Sequence, residues 1–239
     1  MSAFTRADGA RQQSPLMDAD SPTEFKAMSF SYRCGWCFFR AVFSFYFRWR
    51  VFNRERVPMS GPVILAPNHA SYIDPPLVGA SLGRQISFLA RDNIFHVPIL
   101  AGILRSWKVV PVDRDGGTGR GLKQILARLE QGGAIILFPE GTRSRHGDLN
   151  PARSGIGLAV IKSKAPVLPV RVFGTRAAFG PHHLLPRPRR VIVKYGRPLW
   201  FAAQRAEAAA CSKTRVKEIY QEVADEIMAE IARLEPRAD

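Results

Sequence analysis

Cysteine is scarce. Three in 239 residues, an odd number, imply no disulfide framework. Cys34 and Cys37 form a Cys-Gly-Trp-Cys run. A redox pair belongs after a strand, at the opening of a helix. This run sits in an aromatic, Arg-spaced stretch, so both cysteines read as apolar helix residues. Acidic side chains are also few: 20 Asp and Glu against 35 Lys and Arg leave a formal charge of +15. Such an excess either solvates the protein or serves a polyanionic partner: nucleic acid, anionic lipid or a phosphorylated substrate. Arg far outnumbers Lys, and its planar fork is the better match to phosphate. No secretory leader is visible. Residues 1–28 are polar, carry Pro15 and Pro22, and read as a disordered tail.

Several catalytic templates are missing. There is no G-x-S-x-G elbow and no G-x-x-x-x-G-K-[ST] loop. The glycine-rich run at 116–121 does not fit G-x-G-x-x-G, lacks a suitable acid about 20 residues on, and reads as a flexible loop. His96, His146, His182 and His183 make no zinc-like set with the cysteines, so no metal is expected.

What is present is an alternation of short apolar runs with helical stretches. Strands are expected at 63–66, 86–90, 109–112, 134–138, 167–172 and 191–195. Helices are expected at 77–82, 94–104 and 156–162. Leu122, Ile125, Leu126 and Leu129 mark a further helix by their i, i+3, i+4, i+7 spacing. A long final helix keeps Val216, Ile219, Val223, Ile227 and Ile231 on one face. This alternation predicts an α/β fold whose largely parallel sheet is flanked by helices. Before it, residues 30–51 are aromatic and Arg-flanked, short of the roughly 20 apolar residues a spanning helix needs. They suit a helix lying in a membrane interface, with Trp36, Phe38, Phe39, Phe43 and Phe47 inserted and Arg at headgroup level. A core helix with snorkelling arginines and a short single span are the alternatives. The chain thus divides into the tail (1–28), an N-terminal membrane-associated helical segment (29–56) and an α/β domain (57–239).

Ligands of open parallel sheets bind beyond the carboxyl ends of the strands, and three polar clusters fall there. Asn68-His69-Ala70-Ser71-Tyr72-Ile73-Asp74 follows the first strand. Asp113-Arg114-Asp115 follows the third, and Pro139-Glu140-Gly141-Thr142-Arg143-Ser144 the fourth. A neutral imidazole can take the proton of an attacking hydroxyl, worth roughly 10²- to 10⁴-fold. A carboxylate on its other nitrogen fixes the tautomer. His69 and Asp74 fit those roles. Asp74 before Pro75 is equally a helix N-cap, and His69 alone could be a hydrogen-bonded loop residue. Arg114 and Arg143 could fork onto a phosphate. Gly141 permits close backbone approach and could offer its N–H. Glu140 could orient an Arg or accept a substrate hydroxyl.

These clusters resemble the motifs of the glycerolipid acyltransferase superfamily, which includes 1-acylglycerol-3-phosphate acyltransferases. Asn68-His69-x-Ser71-x-x-Asp74 is similar to its first motif and Val110-Pro111-Val112-Asp113-Arg114 to its second. Phe138-Pro139-Glu140-Gly141-Thr142-Arg143-Ser144 is similar to the third. Val167-Leu168-Pro169-Val170, the loosest, is similar to the fourth. Their order and spacing fit over residues 57–198. The resemblance implies a mixed α/β sheet, often behind a membrane-binding helical pair. It implies His69 as general base with Asp74 in support, direct attack on a thioester, and Arg114, Glu140, Gly141 and Arg143 around the phosphate of the acceptor. The expected reaction is acyl transfer from acyl-CoA or acyl carrier protein to the 2-hydroxyl of lysophosphatidate, giving phosphatidate, with no cofactor beyond that donor. The expected setting is the cytoplasmic face of an anionic membrane. Another lyso-lipid acceptor, such as lyso-ornithine lipid, is the rival within the class. A non-catalytic basic binder of membrane or nucleic acid is the rival outside it, and nucleic acid is not the expected partner.

Overall fold

The computed structural model describes residues 28–112, 118–181 and 183–239. The tail expected at 1–28 lies outside them except for its last residue, and so do the first two residues of the glycine-rich run expected as a loop, whose last four residues instead open a helix. In chain order the elements are α1 (Phe30–Phe45), β1 (Arg50–Phe52), β2 (Val63–Pro67), α2 (Asp74–Ser81), β3 (Ile86–Arg91), α3 (Pro98–Ser106), β4 (Val110–Val112), α4 (Thr118–Glu130), β5 (Ala134–Ile136), α5 (Ser154–Lys162), β6 (Val167–Phe173), α6 (Thr175–Phe179), β7 (Ile192–Tyr195), α7 (Ala202–Ala210) and α8 (Lys213–Arg233). The strands form one seven-stranded sheet in the order β1-β7-β6-β2-β5-β3-β4. All neighbours are parallel except β6 and β7. The sheet is therefore mixed and largely parallel, as expected.

β2 sits at the centre and is buried on both faces, which is why it reads as an unbroken apolar run. Val63 and Leu65 face a layer containing Leu77 and Val78 of α2. Ile64 and Ala66 face the opposite layer, with Val160 of α5 and Ile219, Val223 and Ile227 of α8. Successive strand residues point to opposite faces, so one strand stitches both layers together. α5 and α8 meet without a spacer at Gly157, where a Cβ would overlap the Tyr220 carbonyl oxygen.

The structure corrects which side chains of the N-terminal segment are free to insert, leaving Phe38 exposed. Phe43 and Phe47 are buried in the core beside α2, with Phe39 packed against them. Trp36 Nε1 donates to the Leu82 carbonyl at 2.7 Å, and Arg40 to that of Ala80 at 3.2 Å. The Tyr32 hydroxyl accepts from the Ile86 N–H at 3.1 Å, and burial pushes its pKa up to about 12. α1 thus spends one face on the domain, and β1 pairs with β7, so a boundary at residue 57 falls inside one packed body. Arg40 is held over the rings of Trp36 and Trp49. Cys34 and Cys37 are exposed on α1. Among the described residues no helix is long and apolar enough to cross a membrane.

Two other expectations change. The helix expected at 94–104 is a 3-10 turn, Asp92–His96, followed by α3. Pro98 disfavours a helical conformation in its predecessor, and Val97 is accordingly extended. β5 ends at Ile136, two residues earlier than expected, although the Leu137 N–H still donates to the Leu65 carbonyl at 2.9 Å.

Candidate active site

β2, β3, β5 and β6 are mutually parallel in the sheet, so their carboxyl ends share one edge. The first polar cluster leaves β2 at that edge. Asn68 is buried and ties it down: its side chain accepts from the Val172 N–H at 2.8 Å and donates to the Val172 carbonyl at 3.3 Å. His69 Nδ1 lies 2.9 Å from Asp74 Oδ2, with the histidine side chain 15% exposed and the aspartate fully buried. The same oxygen accepts the N–H groups of Ala70 and Ser71, each at 2.7 Å. The carboxylate therefore reaches back into the loop. It does not cap α2, and the next two residues, Pro75 and Pro76, have no N–H to cap. Asp74 Oδ1 is buried without a hydrogen-bond partner.

The third cluster clamps the first. Glu140 is buried. Its Oε1 accepts the His69 N–H at 2.7 Å, and its Oε2 accepts both the backbone N–H and the side-chain amide of Asn150, at 3.1 and 2.8 Å. Burial raises its pKa, and these hydrogen bonds partly oppose the shift. The Ser144 N–H donates to the His69 carbonyl at 2.7 Å. Both backbone polar groups of His69 are thus held by one loop, and the Phe138 ring stacks on its imidazole with centroids 3.9 Å apart.

These contacts correct two assignments. Glu140 spends both carboxylate oxygens on holding loops, not on an acceptor molecule. The Gly141 N–H donates to the Phe138 carbonyl at 3.0 Å and is not offered to a ligand. Glycine is needed at 141 for the turn itself: its φ is +66°, and a Cβ would crowd Arg153 Cδ at 2.8 Å. Arg143 lies with its guanidinium 3.7 Å from the centre of the Tyr72 ring and, among the described residues, pairs with no carboxylate. Arg114 and Asp113 fall outside the described residues. Asn150, Phe138 and Tyr72 are contributors the sequence reading did not single out. Phe138 and Tyr72 lie inside the quoted motifs. Asn150 carries no local signal, because its partner is ten residues away.

With Nδ1 committed to Asp74, Nε2 is the ring nitrogen left to exchange a proton. An apolar cleft of about 130 Å³, open to solvent, is lined among others by Trp36, Phe39, Pro75, Phe88, Trp107 and Ile136. Pro75 follows Asp74, and Ile136 precedes Phe138 by two residues. Among the described residues no three His, Cys, Asp or Glu side chains converge as metal ligands, so no residue is assigned to a metal.

Residues 48–173, more than half of the chain, match the acyltransferase family model. The chain is 32% identical over 124 residues to a chloroplastic 1-acyl-sn-glycerol-3-phosphate acyltransferase of Brassica napus, an alignment covering 51% of this chain and 36% of that protein. It is 27% identical over 126 residues to the 1-acyl-sn-glycerol-3-phosphate acyltransferase of Bacillus subtilis, covering 52% of this chain and 62% of the other. The matched regions thus span less than two thirds of either relative. The crystal structure of the 1-acyl-sn-glycerophosphate acyltransferase PlsC from Thermotoga maritima superimposes with a TM-score of 0.67 at 23% identity, over 86% of this chain and 81% of that one, and so shares the fold. By sequence, this chain belongs to the acyltransferase family.

Proposed function

We propose that the protein transfers a fatty acyl group from acyl-CoA or acyl carrier protein to the 2-hydroxyl of 1-acyl-glycerol-3-phosphate, giving phosphatidate. The observation that carries this is the His69–Asp74 pair at a strand-end loop, with Arg143 on the loop that clamps it and, among the described residues, paired with no carboxylate. His69 Nε2 takes the hydroxyl proton as the oxygen attacks the thioester carbonyl. The C–O bond forms, the C–S bond breaks, and the leaving thiolate takes the proton back from the imidazolium. No acyl-enzyme is involved. Asp74 keeps the proton of the neutral ring on Nδ1 and stabilises the imidazolium. Arg143 binds the phosphate of the acceptor, with Arg114 as its expected second cation. Glu140 and Gly141 hold the loops rather than the lipid. The apolar cleft beside Pro75 and Ile136 suits an acyl chain, and the names of the relatives favour this acceptor over other lyso-lipids. Substrates of this kind put the enzyme at a membrane surface.

The test is transfer of radiolabelled oleate from oleoyl-CoA, or from its carrier-protein ester, to lysophosphatidate in mixed micelles. Wild type should transfer, and a folded His69→Ala protein should lose at least 10²-fold in rate. Equal rates for the two proteins would remove His69 as the base. Failure of wild type with both donors would remove the reaction.

A further inference from the structure

A second feature of the catalytic edge lies between α6 and β7. β6 runs parallel to β2, so its last residue, Phe173, reaches the edge that carries His69. The chain turns at Gly174 (φ +76°), forms α6, and returns through residues 180–191 to the antiparallel strand β7. β1 lies parallel to β7, and the Arg50 N–H donates to the Val191 carbonyl at 3.0 Å. The end of α1 therefore meets this connection at the same edge. The Tyr46 hydroxyl joins them, donating to the Pro186 carbonyl at 2.8 Å.

The connection presents what a folded domain normally hides. Leu184 is 96% exposed and Leu185 76%, and Phe45, at the end of α1, is 87% exposed. The sequence from Leu184 is Leu-Leu-Pro-Arg-Pro-Arg-Arg, with no acid. Arg187, Arg189 and Arg190 are exposed, and among the described residues none pairs with a carboxylate. The segment is also anchored. The Arg187 N–H donates to the Ala178 carbonyl at 2.7 Å, and Pro186 and Pro188 restrict the backbone around it. Phe179, just upstream, accepts the Ser71 hydroxyl through its carbonyl, at 2.5 Å, and packs near Tyr72. The platform is thus tied to the His69 loop.

We propose that residues 183–190, together with Phe45 and Arg48, form a docking surface for an anionic phospholipid bilayer. The leucines enter the acyl boundary and the arginines meet headgroup phosphates. Apolar side chains flanked by cations without acids match a membrane interface, where charge sits just outside an apolar layer. A docking surface here turns the catalytic edge towards the lipid, so that an acceptor can enter sideways from the leaflet. The surface takes only the end of α1, whose other face is spent on the core. The inference rests on the acyl-transfer reading for its purpose, but vesicle binding needs no turnover, so each can fail alone.

The experiment is co-sedimentation of the full chain with vesicles of phosphatidylcholine alone or with 30% phosphatidylglycerol, a composition chosen for the assay on the order of natural anionic membranes. Arg187→Gln/Arg189→Gln/Arg190→Gln should weaken binding to the anionic vesicles by about 100-fold, at roughly five-fold per arginine near such a surface. Leu184→Ser/Leu185→Ser should weaken binding to both compositions by about ten-fold or more. Lys162→Gln/Lys213→Gln/Lys217→Gln, an equal charge loss on α5 and α8, should leave binding within about two-fold. All changed residues are exposed, and unchanged thermal melts would verify folding. Equal losses from the near and remote charge triples, or wild-type binding by both local variants, would overturn the proposal. So would intact vesicle binding with loss of affinity only for an acidic carrier protein. A wild type that binds vesicles yet transfers no acyl group would overturn the reaction and leave the docking surface standing.

Discussion

Replacing Asp74 by Asn separates what the carboxylate does as a charge from what it does as a brace. The orientation of the new amide is set by its surroundings. Oδ2 of Asp74 receives the backbone N–H groups of Ala70 and Ser71 and the ring nitrogen of His69. Only an oxygen suits that position, since an NH₂ group would face two donors. The amide nitrogen must therefore occupy the place of Oδ1, which has no hydrogen-bond partner. The His69 tautomer is retained, and what is lost is the negative charge. Opposite charges about 4 Å apart attract by about 4 kcal/mol at an effective dielectric of about 20. If that attraction is gained as the imidazolium forms, its removal costs about three powers of ten in kcat. Hydrogen bonds to a charged acceptor are worth roughly 1 kcal/mol more than neutral ones, so stability should fall by only about 1–2 kcal/mol. The assay is kcat at saturating donor and acceptor, with thermal melts on the same samples. A folded Asp74→Asn protein within ten-fold of wild type would refute the reasoning and leave Asp74 as a brace for the loop.

Further outcomes follow from other contacts. Arg143→Gln should raise the acceptor KM by about 10- to 100-fold with kcat little changed, the size of a lost charge-assisted hydrogen bond; a fall in kcat alone would remove it from acceptor binding. Gly157→Ala in α5 gains up to about 1 kcal/mol of helix propensity but overlaps the immobile Tyr220 carbonyl, an overpacking cost of about 3 kcal/mol. The net loss of about 2 kcal/mol should lower Tm by roughly 4–8 °C, and an unchanged Tm would mean that α5 and α8 slide apart freely. Glu140 has a folded-state pKa raised above its ordinary value by burial. Its protonated form therefore favours the folded state, and that contribution is present below about pH 4.5 and lost as pH rises through the folded pKa. Melting curves of wild type and Glu140→Gln should diverge across that range, to the disadvantage of wild type on the alkaline side. Parallel curves would contradict the shift.

Six of the seven strands were legible because their residues are apolar on one or both faces. β1 was not, because Arg50-Val-Phe52 is short and only half buried. α7 was missed for a related reason: none of its residues is buried, so it leaves no apolar period in the sequence. Within the stretch at 30–51, Phe43 and Phe47 read as inserted residues for a deeper reason. A protein core and a bilayer reward the same phenylalanines, and no periodicity tells one apolar solvent from the other. Partner distances place one face of α1 in the core, with Phe43 beside α2 and Trp36 bonded to Leu82. At the site, His69 and Asp74 were readable because their spacing carries a chemical role. Glu140 was read as facing a ligand because its type says what it can bond, not which way it points. Its true partner, the His69 N–H, is a backbone group that any residue would supply.

Both polar backbone groups of His69 are bonded to the 140–144 loop, and this has a consequence for recombination between homologues. The two loops are distant in sequence yet act as one mechanical part, so they are the unit in which the site can be exchanged. A chimera taking its first loop from one parent and its third from another would inherit matching residue types and still misalign the imidazole by whatever the two loop backbones differ. Crossovers that keep residues 68–74 and 138–150 from the same parent should retain activity far more often than those that part them.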